Sequence, residues 1–427
     1  MAGGGGNKRR AARSSRPEYE LFHTYRLPNG FRIICMELDR PIVHCGLVIQ
    51  AGTRDERPGE AGAAHFLEHM LFKGTARRKA FHVLNRLDSV GGEFNASTSK
   101  EDTWITASLL AEHLERAIEL MADITFHATF PERELAKERD VILDELHGYL
   151  DSPADAIFDE YEERLFAGHP LAMNILGTVD SVRAMDRATL TGFVERHYVP
   201  EAMVMSVVGG VAAREVERLC IKHFGPMAAR KADVVRVRPE PLPVFDVRLN
   251  KDVHQVHHVM GGLCPGSDHD DRLTLALVAN HLGGPTMNNR LSLNVRERHG
   301  MAYNIECAYT PNSDCGTVGV YFGTDARLHD RAEQLVRKEI RAVCTQRLGT
   351  RTLHEIKQQI AGHIALSSDS GASVMTGLGK SYLLYDRVEP MEEVFRALDA
   401  ITADDVLRVA NTWFDPDGWS HLVYLSN

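Results

Sequence analysis

Nowhere in its 427 residues does this chain hold an uninterrupted apolar run near the roughly 18 residues that a membrane-spanning helix requires. Its most apolar piece, Ala202 to Ala213, reads instead as a buried strand, so a soluble protein is expected. The seven cysteines, at 35, 45, 220, 264, 307, 315 and 344, are odd in number, scattered and free of any C-x-x-C pair. That argues against a disulfide framework and for free thiols in a reducing compartment. Residues 1–20 lack the apolar segment of a secretory signal. Their basic residues, Lys8, Arg9, Arg10, Arg13 and Arg16, with Ser14 and Ser15, have the composition of a mitochondrial transit peptide. A four-glycine run and the lack of an apolar face favour a disordered cytoplasmic tail over that reading. Basic charge is in deficit as well: formal net charge is −10, and with the tail set aside 44 basic residues face 57 acidic ones, a net of −13. Such a body argues against nucleic acid and for cationic partners, although charge kept for solubility explains it equally well. No lysine follows Gly283-Gly284-Pro285 at phosphate-loop spacing, so nucleotide binding is not expected.

What is present is an ordinary globular composition, 44% hydrophobic and 25% charged, in a length that suits about two to four domains. A turn at Leu27-Pro28-Asn29-Gly30 and strand-like Phe31 to Met36 and Ile42 to Gln50 open a sheet. Strand patterns return at Phe94 to Thr98, Thr103 to Leu109 and Met203 to Gly209. Helical periodicity occupies Lys79 to Val90, Glu112 to Phe126, Glu132 to Leu150, Ala154 to Phe166 and Ala188 to His197. Between about Gly225 and Val244 periodicity fades, and Pro226, Pro239, Pro241 and Pro243 mark a linker. The chain then repeats itself: strand-like Val253 to Met260 ends in Gly261-Gly262 as Val48 to Gln50 ends in Ala51-Gly52, and Tyr303-Asn304-Ile305 echoes Phe94-Asn95-Ala96. The expected fold is α+β, two homologous halves each built on a mixed sheet with helices. The division reads as a disordered basic tail at 1–20, a first half at 21–228, a linker at 229–244 and a second half at 245–427.

The first half carries His65-Phe66-Leu67-Glu68-His69 on a helix expected from Gly62. At about 100° per residue, His65, Glu68 and His69 fall within roughly a 100° arc while Phe66, Leu67 and Met70 point elsewhere. Two histidines at i and i+4 suit tetrahedral Zn²⁺, and the glutamate between them stands beside the metal's open position. The order H-x-x-E-H inverts the zincin H-E-x-x-H. A third ligand is needed, and Glu138 and Glu145 share one face of the helix opening at Pro131; spacing does not choose between them. In a gap-free alignment of the halves, His65, Glu68 and His69 face Leu275, Val278 and Ala279, so the second half has no such motif. His254, His257 and His258 alternate within a strand and read as structural, and His354-Glu355 has no partner histidine at the right offset.

These residues give the chain a resemblance to the pitrilysin/insulinase class of inverzincin metallopeptidases, nearest the mitochondrial-processing-peptidase branch with its short bacterial relatives. The resemblance runs from about Tyr25 onward and includes Phe72-Lys73-Gly74-Thr75 and Gly91 to Ser99. It implies a zinc endopeptidase that cleaves peptides or unfolded, presequence-like segments inside a clam-shell chamber of which this chain forms half. It makes Glu145, 76 positions beyond His69, the third zinc ligand beside His65 and His69, and Glu138 a supporting residue. Glu68 becomes the general base, and Phe94, Asn95, Ala96 and Ser97 an edge strand that takes the substrate backbone. Arg296 and Tyr303 match a pair that reaches the scissile bond, with Arg298 a rival for the arginine. Because longer relatives carry four such units, the resemblance also implies a homodimer whose sites are completed in trans. Alternative readings are a non-catalytic scaffold subunit, disfavoured because every ligand is kept, and a catalytic subunit that needs a separate partner.

Overall fold

The structure, a computed structural model, describes residues 22–426; the tail expected at 1–20 lies outside them. The first sheet carries β1 (Phe22–Arg26), β2 (Arg32–Glu37), β3 (Ile42–Ile49), β4 (Glu93–Thr98), β5 (Thr103–Leu110) and β6 (Met203–Gly209) in the order β1-β2-β6-β3-β5-β4. Only β2 and β6 pair in parallel; every other pairing is antiparallel. All seven residues of β6 are buried, which explains its unbroken apolar run: a central strand covered on both faces cannot alternate with polar residues. The helices of this half are α1 (Ala63–Leu71), α2 (Ala80–Asp88), α3 (Leu114–His127), α4 (Glu132–Leu150), α5 (Pro153–Leu165), α6 (Val179–Ala184), α7 (Arg187–His197) and α8 (Ala213–His223).

The second sheet repeats this plan without an equivalent of β1. Its strands β7 (Asp246–Lys251), β8 (Val256–Cys264), β9 (Asn304–Pro311), β10 (Gly316–Thr324) and β11 (Ser420–Ser426) run in the order β7-β11-β8-β10-β9, again with one parallel pair, β7 with β11. The helices are α9 (Arg272–Gly283), a π-helical turn at Ser292–Glu297, α10 (His329–Thr345), α11 (Thr350–Ser368), α12 (Gly371–Tyr385), α13 (Met391–Ala400) and α14 (Ala403–Trp413). The architecture is therefore α+β and duplicated. Leu275, Val278 and Ala279 of α9 are buried, as a helix without a metal motif requires. β8 differs from its sequence pattern: it starts at Val256, after a bend, and continues through Gly261 and Gly262 to Cys264. A Cβ on Gly261 would strike the Val318 carbonyl and approach Tyr161 of α5, so glycine here permits close packing rather than a chain break.

The halves exchange helices. Ile157, Tyr161 and Leu165 of α5 pack on Val259, Tyr321, Leu422 and Tyr424 of the second sheet. In return Met375, Tyr382 and Leu383 of α12 cover Ile34, Val48, Trp104, Val204 and Val208 of the first. Each such side chain contributes about 1.5–3 kcal/mol when fully buried. The approach is close: a Cβ on Gly46 would meet Met375 Sδ at 2.5 Å, and one on Gly379 would meet Trp104 at 2.7 Å. The irregular stretch after α8 is fastened at the same seam. Arg236 bonds the Asp55 carboxylate at 2.8 and 3.0 Å, while Arg54 bonds Glu101 at 2.6 Å, Asp314 at 2.8 Å and the Val237 carbonyl at 2.7 Å. Asp314 belongs to the β9–β10 turn and Glu101 to the β4–β5 turn, so the second half holds the hairpin that contains β4.

Candidate metal centre and peptidase site

α1 is placed by its ends and its apolar side. Gly62 at its N-terminus has φ +83°, and a Cβ there would lie 2.8 Å from the Leu176 carbonyl, so only glycine fits. Glu56 accepts the otherwise free N–H groups of Gly62 at 3.0 Å and Ala64 at 2.9 Å; burial pushes its pKa well up while these two bonds pull it back. Ala63, Ala64, Phe66, Leu67, Met70 and Leu71 are buried, which leaves the histidine and glutamate side to α4 and β4.

On α4 the buried positions Leu135, Glu138, Ile142 and Leu146 recur at helical spacing and lay the helix along α1. Glu145 Oε2 stands 3.7 Å from His65 Nε2 and 3.6 Å from His69 Nε2, and one ligand atom from each of the three lies within 4.8 Å of the others. A tetrahedral zinc with arms of about 2.05 Å separates its ligand atoms by about 3.3 Å, so this spacing suits the ion. The donor set suits it too: burial, aided by the neighbouring His69, holds His65 near a pKa of about 4, the neutral form that ligation needs. Glu138 faces the other ring nitrogen of His69. Its Oε2 is 3.1 Å from His69 Nδ1, and its Oε1 is 2.6 Å from Lys73 Nζ. Lys73, Glu138 and His69 thus form a chain that aims His69 Nε2 at Glu145.

Glu68 is not part of that ligand group. Its Oε2 accepts a hydrogen bond from Thr98 Oγ1 at 2.6 Å, and burial raises its pKa while the Thr98 bond and His69 pull it back. Thr98 ends β4, the outermost strand of the first sheet, whose second edge pairs with no described strand. Along β4 Phe94 packs edge-on against Phe72 at 5.4 Å, Ala96 is buried, and Asn95 and Ser97 are exposed. The Ala96 N–H is taken by Asn95 Oδ1 at 2.9 Å, a local stand-in for a neighbouring strand. Glu56, Lys73 and Thr98 are the participants that sequence reasoning did not assign. Lys73 sits at i+4 from His69 and Thr98 at the end of the strand motif, which are the only signals they give.

Arg296 and Tyr303 lie in the second half. Arg296 stands in the π-helical turn, 3.4 Å from Glu297, and with Gly283, Gly284 and Ile305 lines a cavity of about 360 Å³. Tyr303 is 69% exposed just before β9. No hydrogen bond or ion pair within the described chain joins either residue to His65, Glu68, His69 or Glu145. His258, His329 and Glu333 form a second group with ligating atoms within 4.8 Å. Its imidazoles lie in a hydrogen-bonded row: Arg337 Nη2 donates to His421 Nε2 at 2.9 Å, His421 Nδ1 is 2.9 Å from His258 Nε2, and His258 Nδ1 is 3.0 Å from His329 Nε2. Because the guanidinium can only donate, it orients each ring in turn: every histidine then carries one proton and donates to the next.

The family description "Insulinase (Peptidase family M16)" matches residues 33–179, and "Peptidase M16 inactive domain" matches residues 184–360. The second match begins before β6, so the central strand of the first sheet falls within it. An uncharacterized zinc protease of Mycobacterium leprae is 33% identical over 395 residues, covering 90% of this chain and 87% of its own. One from Bacillus subtilis is 32% identical over 404 residues, covering 93% and 97%. In fold, the chain is similar to a crystal structure of a peptidase M16 inactive domain from Pseudomonas fluorescens, with TM-score 0.89 at 20% identity over 95% of this chain and 98% of that one. A Helicobacter pylori protease gives TM-score 0.88 at 20% identity over 94% and 99%. With the inverted motif, the duplicated sheets and full-length relatives at this identity, the chain belongs to the insulinase family, Peptidase family M16.

Proposed function

We infer that the chain is a zinc-dependent endopeptidase acting on peptides or unfolded segments, and that His65, His69 and Glu145 hold the ion. The observation that carries this is the gathering of two imidazole nitrogens and a carboxylate oxygen from α1 and α4 beside a glutamate outside that group and a strand edge that pairs with no described strand. When bound, zinc supplies Lewis acidity, making water nucleophilic near neutral pH and drawing charge from a carbonyl. Glu68 takes the proton from the attacking water and passes it to the leaving nitrogen. Phe94 to Ser97 hold the substrate as an added strand, the peptide displacing the Asn95 amide from the Ala96 N–H. Glu138, backed by Lys73, keeps His69 in the ligating orientation.

Two chains pair as a homodimer, and Arg296 and Tyr303 of one complete the site of the other by stabilising charge on the substrate carbonyl. A cavity of about 840 Å³ at the C-terminal end of α4, with Asp151, Asp159, Glu160 and Glu163 against Lys251, the single cation among the described residues of its wall, is acidic on balance and suits basic side chains of a peptide. The seven cysteines, all buried and unpaired in the structure, support a cytoplasmic location. No described helix is long and apolar enough to cross a membrane. The deciding experiment is cleavage of a mixed peptide library by the purified chain with and without a chelator. Chelator-sensitive cleavage supports the reading, and its absence in zinc-loaded protein overturns it for the chain acting alone.

A further inference from the structure

We propose that Thr98 is a positioning residue for peptide hydrolysis, coupling the seating of a substrate strand on β4 to the aim of the Glu68 carboxylate; this rests on the reading of Glu68 as the general base. The bond from Thr98 Oγ1 to Glu68 Oε2, 2.6 Å long, is in the short range typical of a hydroxyl donating to a carboxylate. It is the only hydrogen bond the Glu68 carboxylate makes to the described residues, so it selects among the orientations of a terminal torsion that is intrinsically broad. With Oε2 held, Oε1 is the oxygen left to take a proton.

The restraint starts from the strand that receives substrate. Side chains alternate along a strand, so Phe94, Ala96 and Thr98 share one face, and that face is seated by Phe94 on Phe72 and by buried Ala96. Backbone groups alternate too. The Ala96 N–H bonds Asn95 Oδ1 rather than β5, which puts the main-chain groups of residues 94, 96 and 98 toward the open edge. A peptide adding there bonds the strand within two residues of Thr98. Threonine is β-branched and stiff at χ1, so a shift of its backbone is passed to Oγ1 rather than absorbed by rotation. The turn that follows Thr98 is tied through Glu101 to Arg54 and Ser313, so a displacement of the strand is taken up at residues 94–98 and not passed on into the turn. Strand addition therefore acts on a segment with little other freedom.

Thr98→Val removes the hydroxyl and keeps the branched shape, while Thr98→Ser keeps the hydroxyl. The measurements are kcat and KM on a quenched fluorescent peptide, zinc content, and binding of the same peptide to zinc-stripped protein. For Thr98→Val the expected result is a kcat lower by about 10- to 100-fold, the range seen when a support of a catalytic group is lost. KM, peptide affinity and zinc content stay within about two-fold, and Thr98→Ser regains most of the turnover. An unchanged kcat overturns the proposal. So does weakened peptide binding at full kcat, which makes Thr98 a substrate contact, or loss of zinc, which makes it a support of the metal helix. Glu68→Gln is assayed in parallel: if it keeps its turnover, the base assignment falls and this proposal with it, whereas a dead Glu68→Gln with an unaffected Thr98→Val removes the proposal alone.

Discussion

Lys73→Met tests whether the contacts behind His69 govern metal affinity. In the structure the Lys73 ammonium is 2.6 Å from Glu138 Oε1, and the other oxygen of that carboxylate is 3.1 Å from His69 Nδ1. Glu138 is only 6% exposed, so water cannot replace the lost cation. Without the Lys73 anchor the carboxylate is free to turn away from His69, and losing part of a charged hydrogen bond worth about 1.5–3 kcal/mol costs about 1.4 kcal/mol, a factor of roughly ten in zinc affinity. Glu138→Gln makes the same bond neutral outright and is expected to cost a similar factor of about 10 or somewhat more. Because both changes act through one bond, the double variant should bind zinc no more than about two- to three-fold more weakly than Glu138→Gln alone. Zinc affinity is read by competition with a chelator whose affinity is known. Losses that multiply, reaching about a hundred-fold in the double variant, would show that Lys73 acts elsewhere. No loss in Lys73→Met would show that the contact leaves His69 unaffected.

Four further outcomes are expected. Glu145→Gln should empty the site of zinc, whereas Glu68→Gln should keep its zinc content and lose turnover by several orders of magnitude; the reverse pattern would exchange ligand and base. Mixing a Glu68→Gln chain with a Tyr303→Phe chain under conditions that exchange subunits should restore roughly a quarter of wild-type activity if sites are shared across a dimer, and none if each chain supplies its own. Met375→Ala, which empties a position 2% exposed beneath the first sheet, should lower stability by about 2–5 kcal/mol in urea unfolding while zinc content persists, and a loss under 1 kcal/mol would mean that α12 is not a structural layer of that sheet. Burial lowers the folded-state pKa of His258, His329 and His421 below the usual 6.5, so the unfolded chain binds more protons and stability falls as pH drops from about 6.5. The row's share of the difference in urea midpoint between pH 7 and pH 5 in zinc-free protein should shrink in His421→Gln, and a difference equal to that of the unaltered chain would mean that the row does not contribute.

The elements around the site were legible because their residues carry strong local signals. α4 spans Glu132–Leu150 as its periodicity and leading proline indicate, and β6 spans the Met203–Gly209 run that only a central strand tolerates. The inverted motif placed His65, Glu68 and His69 on one side of α1 before any tertiary contact was known. What was not legible depends on residues far apart in the chain. Lys73 reads as one more surface lysine until α4 brings Glu138 to it, and Thr98 as a strand threonine until α1 turns Glu68 toward it. His421 is separated from His258 by 163 residues. The stretch after α8 lost its periodicity and so looked like a plain linker, yet Arg236 is half-buried at the seam, held by Asp55. β8 was expected to stop at its glycines, because local propensity cannot see α5 arriving from the other half.

The exchange of α5 and α12 bears on how such a molecule came about and how it can be taken apart. Each sheet wears a helix encoded by the opposite half, the arrangement that two copies of a half-length ancestor would adopt by swapping arms in a symmetric dimer. Joining the copies end to end keeps the swap and frees one partner to lose its chemistry while it still clothes the other. A nick in the segment between α8 and β7 should consequently leave two pieces that stay clasped, each supplying the layer its neighbour lacks. Either piece expressed alone would present a bare apolar sheet and depend on the other for solubility, so that the half bearing Leu275 and Ala279 in place of histidines is kept as the garment of the half that cuts.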